Sequence, residues 1–236
     1  MTGMQELYPF LSAGGPGAGD LADALMDEVR RSTAEKAHDI VRLRELVLEE
    51  HGDDLAACAA RMAEAFRSGG RLFTFGNGGS STDAQDVAAL FLNPGGSARP
   101  LPALALTTDA AVVTALSNDI GFEVVFARQL AAFARPGDIA LALSTSGNSD
   151  NLIAALREGE RRRLLTIGLA GYTGGQMAEE PGLQHLFVVP SSSVHRIQEA
   201  QTTIYHALWE LTQAELSRSD LSRPDLSGSE HAGEVR

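Results

Sequence analysis

The chain has 236 residues, enough to bury one sizeable α/β core, and its 24 glycines suit tight turns and close helix packing. A formal charge of −12, with no Lys/Arg-rich stripe to offset it, argues against a nucleic-acid surface. The single cysteine excludes an intrachain disulfide framework, no stretch approaches a membrane span, and the N-terminus lacks a signal-peptide pattern; the expectation is a soluble cytoplasmic protein without a membrane partner.

In chain order, residues 1–19 contain SAGGPGAG and read as a flexible lead-in. From Asp20 to Glu50, Leu21, Ala24, Leu25, Ile40, Leu43, Leu46 and Val47 recur at helical intervals, predicting a long amphipathic helix with a break near Ser32-Thr33. Gly52-Asp53-Asp54 predicts the cap of a second helix from Leu55 to about Arg67, which places Cys58 in a buried helical setting. So long a leading helix has little to pack on in a small α/β domain, which points to an oligomer interface. Strand and helix then alternate: strands near 72–75, 101–106, 139–143, 164–168 and 185–189, helices near 80–92, 122–133, 148–158 and 196–216. The run Arg161-Arg162-Arg163 reads as a solvated turn before a strand. Residues 217–236 are polar and rich in Pro, Gly and Ser, and read as a flexible tail, leaving one domain over 20–216. This alternation predicts a mostly parallel sheet covered on both faces, with ligands bound beyond the carboxyl ends of its strands.

Two of the loops at those ends carry chemistry. Gly76-Asn77-Gly78-Gly79-Ser80 joins a strand to a helix, the geometry that points backbone N–H groups and a helix dipole at an anion. Many such turns bind nothing. Ser144-Thr145-Ser146-Gly147-Asn148-Ser149 supplies four hydroxyls and a glycine at a second helix start, where a simple serine cap would need only one hydroxyl. The spacing and lysine of a P-loop are absent, so the expected anion is a phosphate held by neutral donors.

The ordered set FGNGGSSTDAQ, ALTTD, ALSNDIGFEVVFARQ, RPGD, LSTSGNS and RIQEAQ resembles the phosphosugar isomerase (SIS) domain, and within it the sedoheptulose 7-phosphate isomerase (phosphoheptose isomerase) branch, over about Leu55 to Leu216. The resemblance implies an α/β three-layer sandwich with a five-stranded parallel sheet, and a homotetramer with active sites between subunits. It implies that Ser144, Thr145, Ser146 and Ser149 hold the phosphate of a phosphorylated sugar. Asn77, Gly78, Gly79 and Ser80 would line the same pocket, and Asn118 and Asp119 would help hold the sugar.

The chemistry implied by the family is a proton transfer through an enediol, which needs a base and an acid. Its members place a histidine and a glutamate one turn apart after the glycine loop. With a glutamine and a histidine of the last helix these form a zinc site. Here Asp86 stands in the histidine's place and Leu90 in the glutamate's, while Gln198 and His206 remain, eight residues apart with Thr202 between them on one helix face. Two of four family ligands are missing, so zinc is expected to be weak or absent. Asp86 and His206 are then the candidate acid–base pair, with Gln198 binding substrate. Asp83 could face the same side, although an acid early in a helix also serves the dipole. Glu199 should point elsewhere, and His195 lies three residues before Gln198, near the pocket mouth. Three accounts stay open: an isomerase with a rearranged pair, a paralogue with another phosphosugar or without metal, and a catalytically inactive sensor or oligomeric adaptor resembling the replication-initiator-binding members of the family.

Overall fold

The structure is a computed structural model that describes residues 18–221, with side chains from 22 to 218. The expected flexible segments fall mostly outside that range, and the parts inside it, 18–19 and 217–221, are helical. Contacts divide the chain at Arg42–Leu43 where the sequence suggests one domain over 20–216. The N-terminal unit is helical throughout its described part and exposes Leu25, Met26, Val29 and Val41. The second unit holds the sheet.

Helix α1 runs without a break over Ala18–Arg67. The interruptions expected at Ser32-Thr33 and at Gly52-Asp53-Asp54 are absent. A glycine inside a helix costs only about 1 kcal/mol, and the Ala-, Leu- and Glu-rich residues on either side carry the helix through it. Within the second unit this helix buries Leu43, Val47, Leu55, Cys58, Met62 and Phe66. Burial pushes the Cys58 thiol up and out of the ionising range, with Asp54 adding to the effect, so it packs as a small hydrophobe.

The sheet consists of β1 Leu72–Gly76, β2 Ala103–Ala105, β3 Ile139–Leu143, β4 Leu165–Gly171 and β5 His185–Val189, all parallel in the order β2-β1-β3-β4-β5. β1, β3 and β4 are buried along their whole length, as their continuous apolar runs require in a sheet covered on both faces. β2 is shorter than the Leu101–Leu106 expected. Pro102 cannot donate to a ladder, and its carbonyl instead accepts from Leu72 N at 2.9 Å. The remaining helices are α2 Gly79–Leu92, α3 Ala110–Asp119, α4 Val125–Phe133, α5 Asp150–Arg161 and α6 Val194–Leu221.

At the amino edge of the sheet, buried Asp138 accepts from Arg71 N and Arg135 N at 2.8 Å each, and from the Arg71 guanidinium at 2.9 Å. This ties the starts of β1 and β3 together. The order of strands reverses direction between β1 and β3, so the carboxyl ends of these two neighbours form the crevice where a doubly wound sheet binds its ligand.

Candidate functional site

Both small-residue loops open at that crevice. The first leaves β1 through Asn77 and enters α2 through Gly78, whose φ of 56° is the left-handed conformation that glycine adopts without penalty. The second leaves β3 through Ser144 and enters α5 after Ser149. A reciprocal amide pair joins them: Asn77 Nδ2 donates to Asn151 Oδ1 at 2.8 Å and Asn151 Nδ2 donates to Asn77 Oδ1 at 2.9 Å. The two helix starts are thereby held in one register, with both amides spent on each other. Sequence reasoning did not single out Asn151. Its position in the first turn of α5 was the available signal.

The four hydroxyls of the serine loop do different work. Ser144 is buried, and its Oγ accepts from Gly147 N at 2.9 Å, closing the loop on itself. Ser146 Oγ accepts from Asn148 N at 3.3 Å. Ser149, at the helix cap, makes no side-chain cap bond, and among the described residues no group pairs with the Thr145 hydroxyl; both residues are half-buried. The hydroxyls of Thr145 and Ser149 are therefore unspent within the described fold, whereas those of Ser144 and Ser146 each accept a backbone N–H, and Ser144 is the loop's internal brace.

The loop after β4 clasps the serine loop from outside. Gly147, at φ 68°, lies so close to the Gly174 carbonyl that a Cβ there would sit 1.9 Å from it. A Cβ on Gly175 would lie 2.4 Å from the Ser146 carbonyl, while Asn148 Oδ1 accepts from Gln176 N at 2.9 Å and Met177 N donates to Gly147 O at 3.0 Å.

Helix α6 closes the other side. Gln198 packs against Gly79, where a Cβ would meet its Nε2 at 2.3 Å, and it donates to Asp83 Oδ2 at 3.3 Å. Burial, first, and the neighbouring Asp86 charge push the Asp83 carboxyl up, with the Gln198 bond opposing. Asp83 thus faces α6 across the glycine loop and has a partner there beyond any service to the helix dipole. Tyr205 is almost wholly buried; desolvation raises its phenol and the charges of Asp83 and Asp86 add to that, so it stays a protonated donor at neutral pH. No motif or spacing in the chain singles out Tyr205.

Asp86 and His206 are both exposed, and the His206 ring stacks on Tyr205 at 5.2 Å between centroids. Among the described residues no hydrogen bond or ion pair joins Asp86 to His206. Ser80 is buried, with its N–H donating to the Asn77 carbonyl at 3.0 Å, and Gly78 and Gly79 are exposed. Asn118 donates to Asp119 at 2.8 Å; both are exposed at the end of α3, and no hydrogen bond joins them to either loop. Glu199 pairs with Arg196 and points away, and His195 is exposed.

Leu90 offers no ligand atom, and among the described residues no three His, Cys, Asp or Glu side chains come together as a metal site. A cavity of about 520 Å³ between α3 and α4 is lined by Val112, Leu116, Gln129 and Phe133 among others. It holds no carboxylate, hydroxyl or histidine.

A family model described as "SIS domain" matches residues 37–171. A phosphoheptose isomerase of Roseiflexus sp. (strain RS-1) is 39% identical over 188 residues, 79% of this chain and 94% of the relative. The phosphoheptose isomerase of Desulfovibrio desulfuricans is 46% identical over 178 residues, 75% of this chain and 83% of the relative. Among solved structures, phosphoheptose isomerase GmhA from Neisseria gonorrhoeae superposes with a TM-score of 0.70 at 33% identity, covering 80% of this chain and 99% of its own. A phosphoheptose isomerase from Francisella tularensis gives 0.67 at 30% identity, covering 80% and 98%.

Proposed function

The chain belongs to the SIS-domain family, and from that premise we propose that it binds a phosphorylated sugar across the paired loops and interconverts its aldose and ketose forms, with sedoheptulose 7-phosphate or a similar sugar phosphate as substrate. The observation that carries this reading is the pairing of two helix starts at the carboxyl ends of β1 and β3, fixed by the Asn77–Asn151 bridge and presenting the free hydroxyls of Thr145 and Ser149. Two dipoles and neutral donors suit a phosphate dianion, and the remaining loop amides and hydroxyls suit a polyol whose every buried hydroxyl needs a partner.

The chemistry is a 1,2 proton shift with no co-reactant. A base takes the proton from the carbon beside the carbonyl, giving an enediol, and returns it to the adjacent carbon while the oxygens exchange a proton. Asp86 and His206 are the proposed pair. Asp83 is a second carboxyl on the same stretch of α2, and burial raises it in the direction a general base needs. Gln198 holds the sugar, no metal takes part, and the protein works as a cytoplasmic homotetramer. The apolar side chains exposed on α1, Leu25, Met26, Val29, Val41 and Leu48, support an assembly of copies.

A second reading rests on Leu90 and on the exposure of Asp86 and His206: the pocket binds its phosphosugar without turning it over, as a sensor or adaptor. Exchange spectroscopy separates the two. Incubated in deuterated buffer with sedoheptulose 7-phosphate, the isomerase incorporates deuterium at the carbon next to the carbonyl. Binding with no exchange leaves the sensor, and no binding refutes both. Retention of stoichiometric zinc after dialysis against a mild chelator would overturn the metal-free assignment, and a monomer by light scattering would overturn the tetramer.

A further inference from the structure

Helix α6 touches both loops through one face. Gln198 reaches the glycine loop, and Gln201, three residues on and therefore on the same face, reaches the serine loop. Gln201 is fully buried, and its Nε2 donates to the Ser144 carbonyl at 2.7 Å. Ser144 is the hinge of that loop. Its N–H continues the ladder to Leu169 O at 2.9 Å, its hydroxyl takes the Gly147 N–H, and among the described residues its carbonyl is held by Gln201 alone. The rest of the contact is tight: a Cβ on Gly171 would lie 2.3 Å from Ile197 of α6 and 2.5 Å from the Thr145 carbonyl.

The other end of the Gln201 amide is the informative one. Its Oε1 is buried and has no hydrogen-bond partner among the described residues. A residue selected only for packing would be apolar here, since an unpaired buried acceptor costs roughly 1–3 kcal/mol. We propose that Gln201 is the positioning residue of the phosphate cradle: it fixes the Ser144 carbonyl so that Thr145 and Ser149 present their hydroxyls, and it links this loop to the helix that carries Gln198 and His206. The inference rests on the phosphosugar reading above. It adds to that reading a residue which touches neither the sugar nor its phosphate.

A positioning residue for the phosphate, a part of the substrate that does not react, should change KM and leave kcat alone. Gln201→Met keeps the volume and removes the donor; Gln201→Glu can donate to the Ser144 carbonyl only while protonated. In the full-length protein we expect Gln201→Met to raise KM for sedoheptulose 7-phosphate, and the inhibition constant of inorganic phosphate, about tenfold, with kcat within twofold. Gln201→Glu should bind nearly as wild type at acid pH and lose affinity as pH rises, relative to wild type in the same buffers. Unchanged constants in both variants, or a fall in kcat at constant KM, would overturn the proposal. Should neither variant fold, the wild-type Gln201 side-chain amide signal decides by NMR: it must shift on adding inorganic phosphate, and a signal that stays in place overturns the assignment. If wild type binds neither phosphate nor sugar phosphate, the phosphosugar reading fails first, and that outcome is distinct from equal binding by wild type and variants.

Discussion

Dividing the serine loop into a brace and two free donors makes Ser144 separable from Thr145 and Ser149 by experiment. A hydrogen bond to a charged group contributes about 1.5–3 kcal/mol, so removing both free donors with Thr145→Val and Ser149→Ala should weaken sugar phosphate binding about 100-fold or more. At a ligand concentration 100 times the wild-type Kd, binding stabilises the fold by about 2.7 kcal/mol, which for a domain of this size is a melting shift of roughly 5–11 °C. In the double variant the same concentration only matches Kd, and the shift shrinks to about 1 °C. Without ligand, both proteins should melt alike, because neither hydroxyl is spent within the fold. Ser144→Ala should do the opposite. It strands the buried Gly147 N–H, at about 1–3 kcal/mol, and lowers the unliganded melting point by about 2–12 °C. Melting curves with and without sedoheptulose 7-phosphate read all three proteins. A full ligand shift in the double variant, or a wild-type melting point with no ligand shift in Ser144→Ala, would refute this division of labour.

Other outcomes follow from the same geometry. Asn151→Ala leaves both polar ends of the Asn77 amide without their partner, and should lower stability by about 1–2 kcal/mol and raise KM, read by melting and steady-state kinetics. The folded-state carboxyl of Asp83 lies above its unfolded value, so its contribution is favourable while it is protonated and is lost as pH rises through the folded pKa. Asp83→Asn should therefore raise the melting point at neutral pH and gain less at acid pH, and in the isomerase reading Asp86→Asn should stop deuterium exchange. A lowered melting point at pH 7 would contradict the burial argument. Asp138→Ala unpairs Arg71 and two backbone N–H groups at the far edge of the sheet; we expect a loss of about 3–5 kcal/mol by denaturant titration with phosphate affinity unchanged in the folded fraction.

The parts of this fold that could be read from sequence are those with a local cause. The parallel sheet follows from apolar runs such as Ile139–Leu143, too short for helices and flanked by turn residues, and the structure pairs all five strands as that pattern requires. Helix breaks were over-read for the reason that makes them unreliable: Gly52 and Ser32-Thr33 carry propensity costs of about 1 kcal/mol or less, which a long, otherwise favourable helix absorbs. Both loops were visible from their composition. What composition could not give is how each polar atom is spent. Ser144 and Thr145 are adjacent hydroxyls in one motif, yet one closes a turn and the other is free, because a strand end turns successive side chains to opposite sides. Asn151, Gln201 and Tyr205 were passed over because their partners lie 57 to 74 residues away for the first two, and because the phenol's neighbours sit on another helix.

Those long-range bonds also bear on how the site keeps its shape. The end proposed for phosphate depends on the Asn77–Asn151 bridge, the clasp of the β4 loop and Gln201, none of which involves Asp86 or Leu90. The end proposed for acid–base work lies on α2 and α6, where Gln198 donates to Asp83 and the charges of Asp83 and Asp86 act on Tyr205. Substitution on α2 can therefore change the proton chemistry while the anion cradle stays intact. A carboxylate one turn earlier, at Asp83, can act in the same crevice without moving either loop. Phosphosugar recognition and turnover are separable in this architecture, and the two aspartates of α2 are where they come apart.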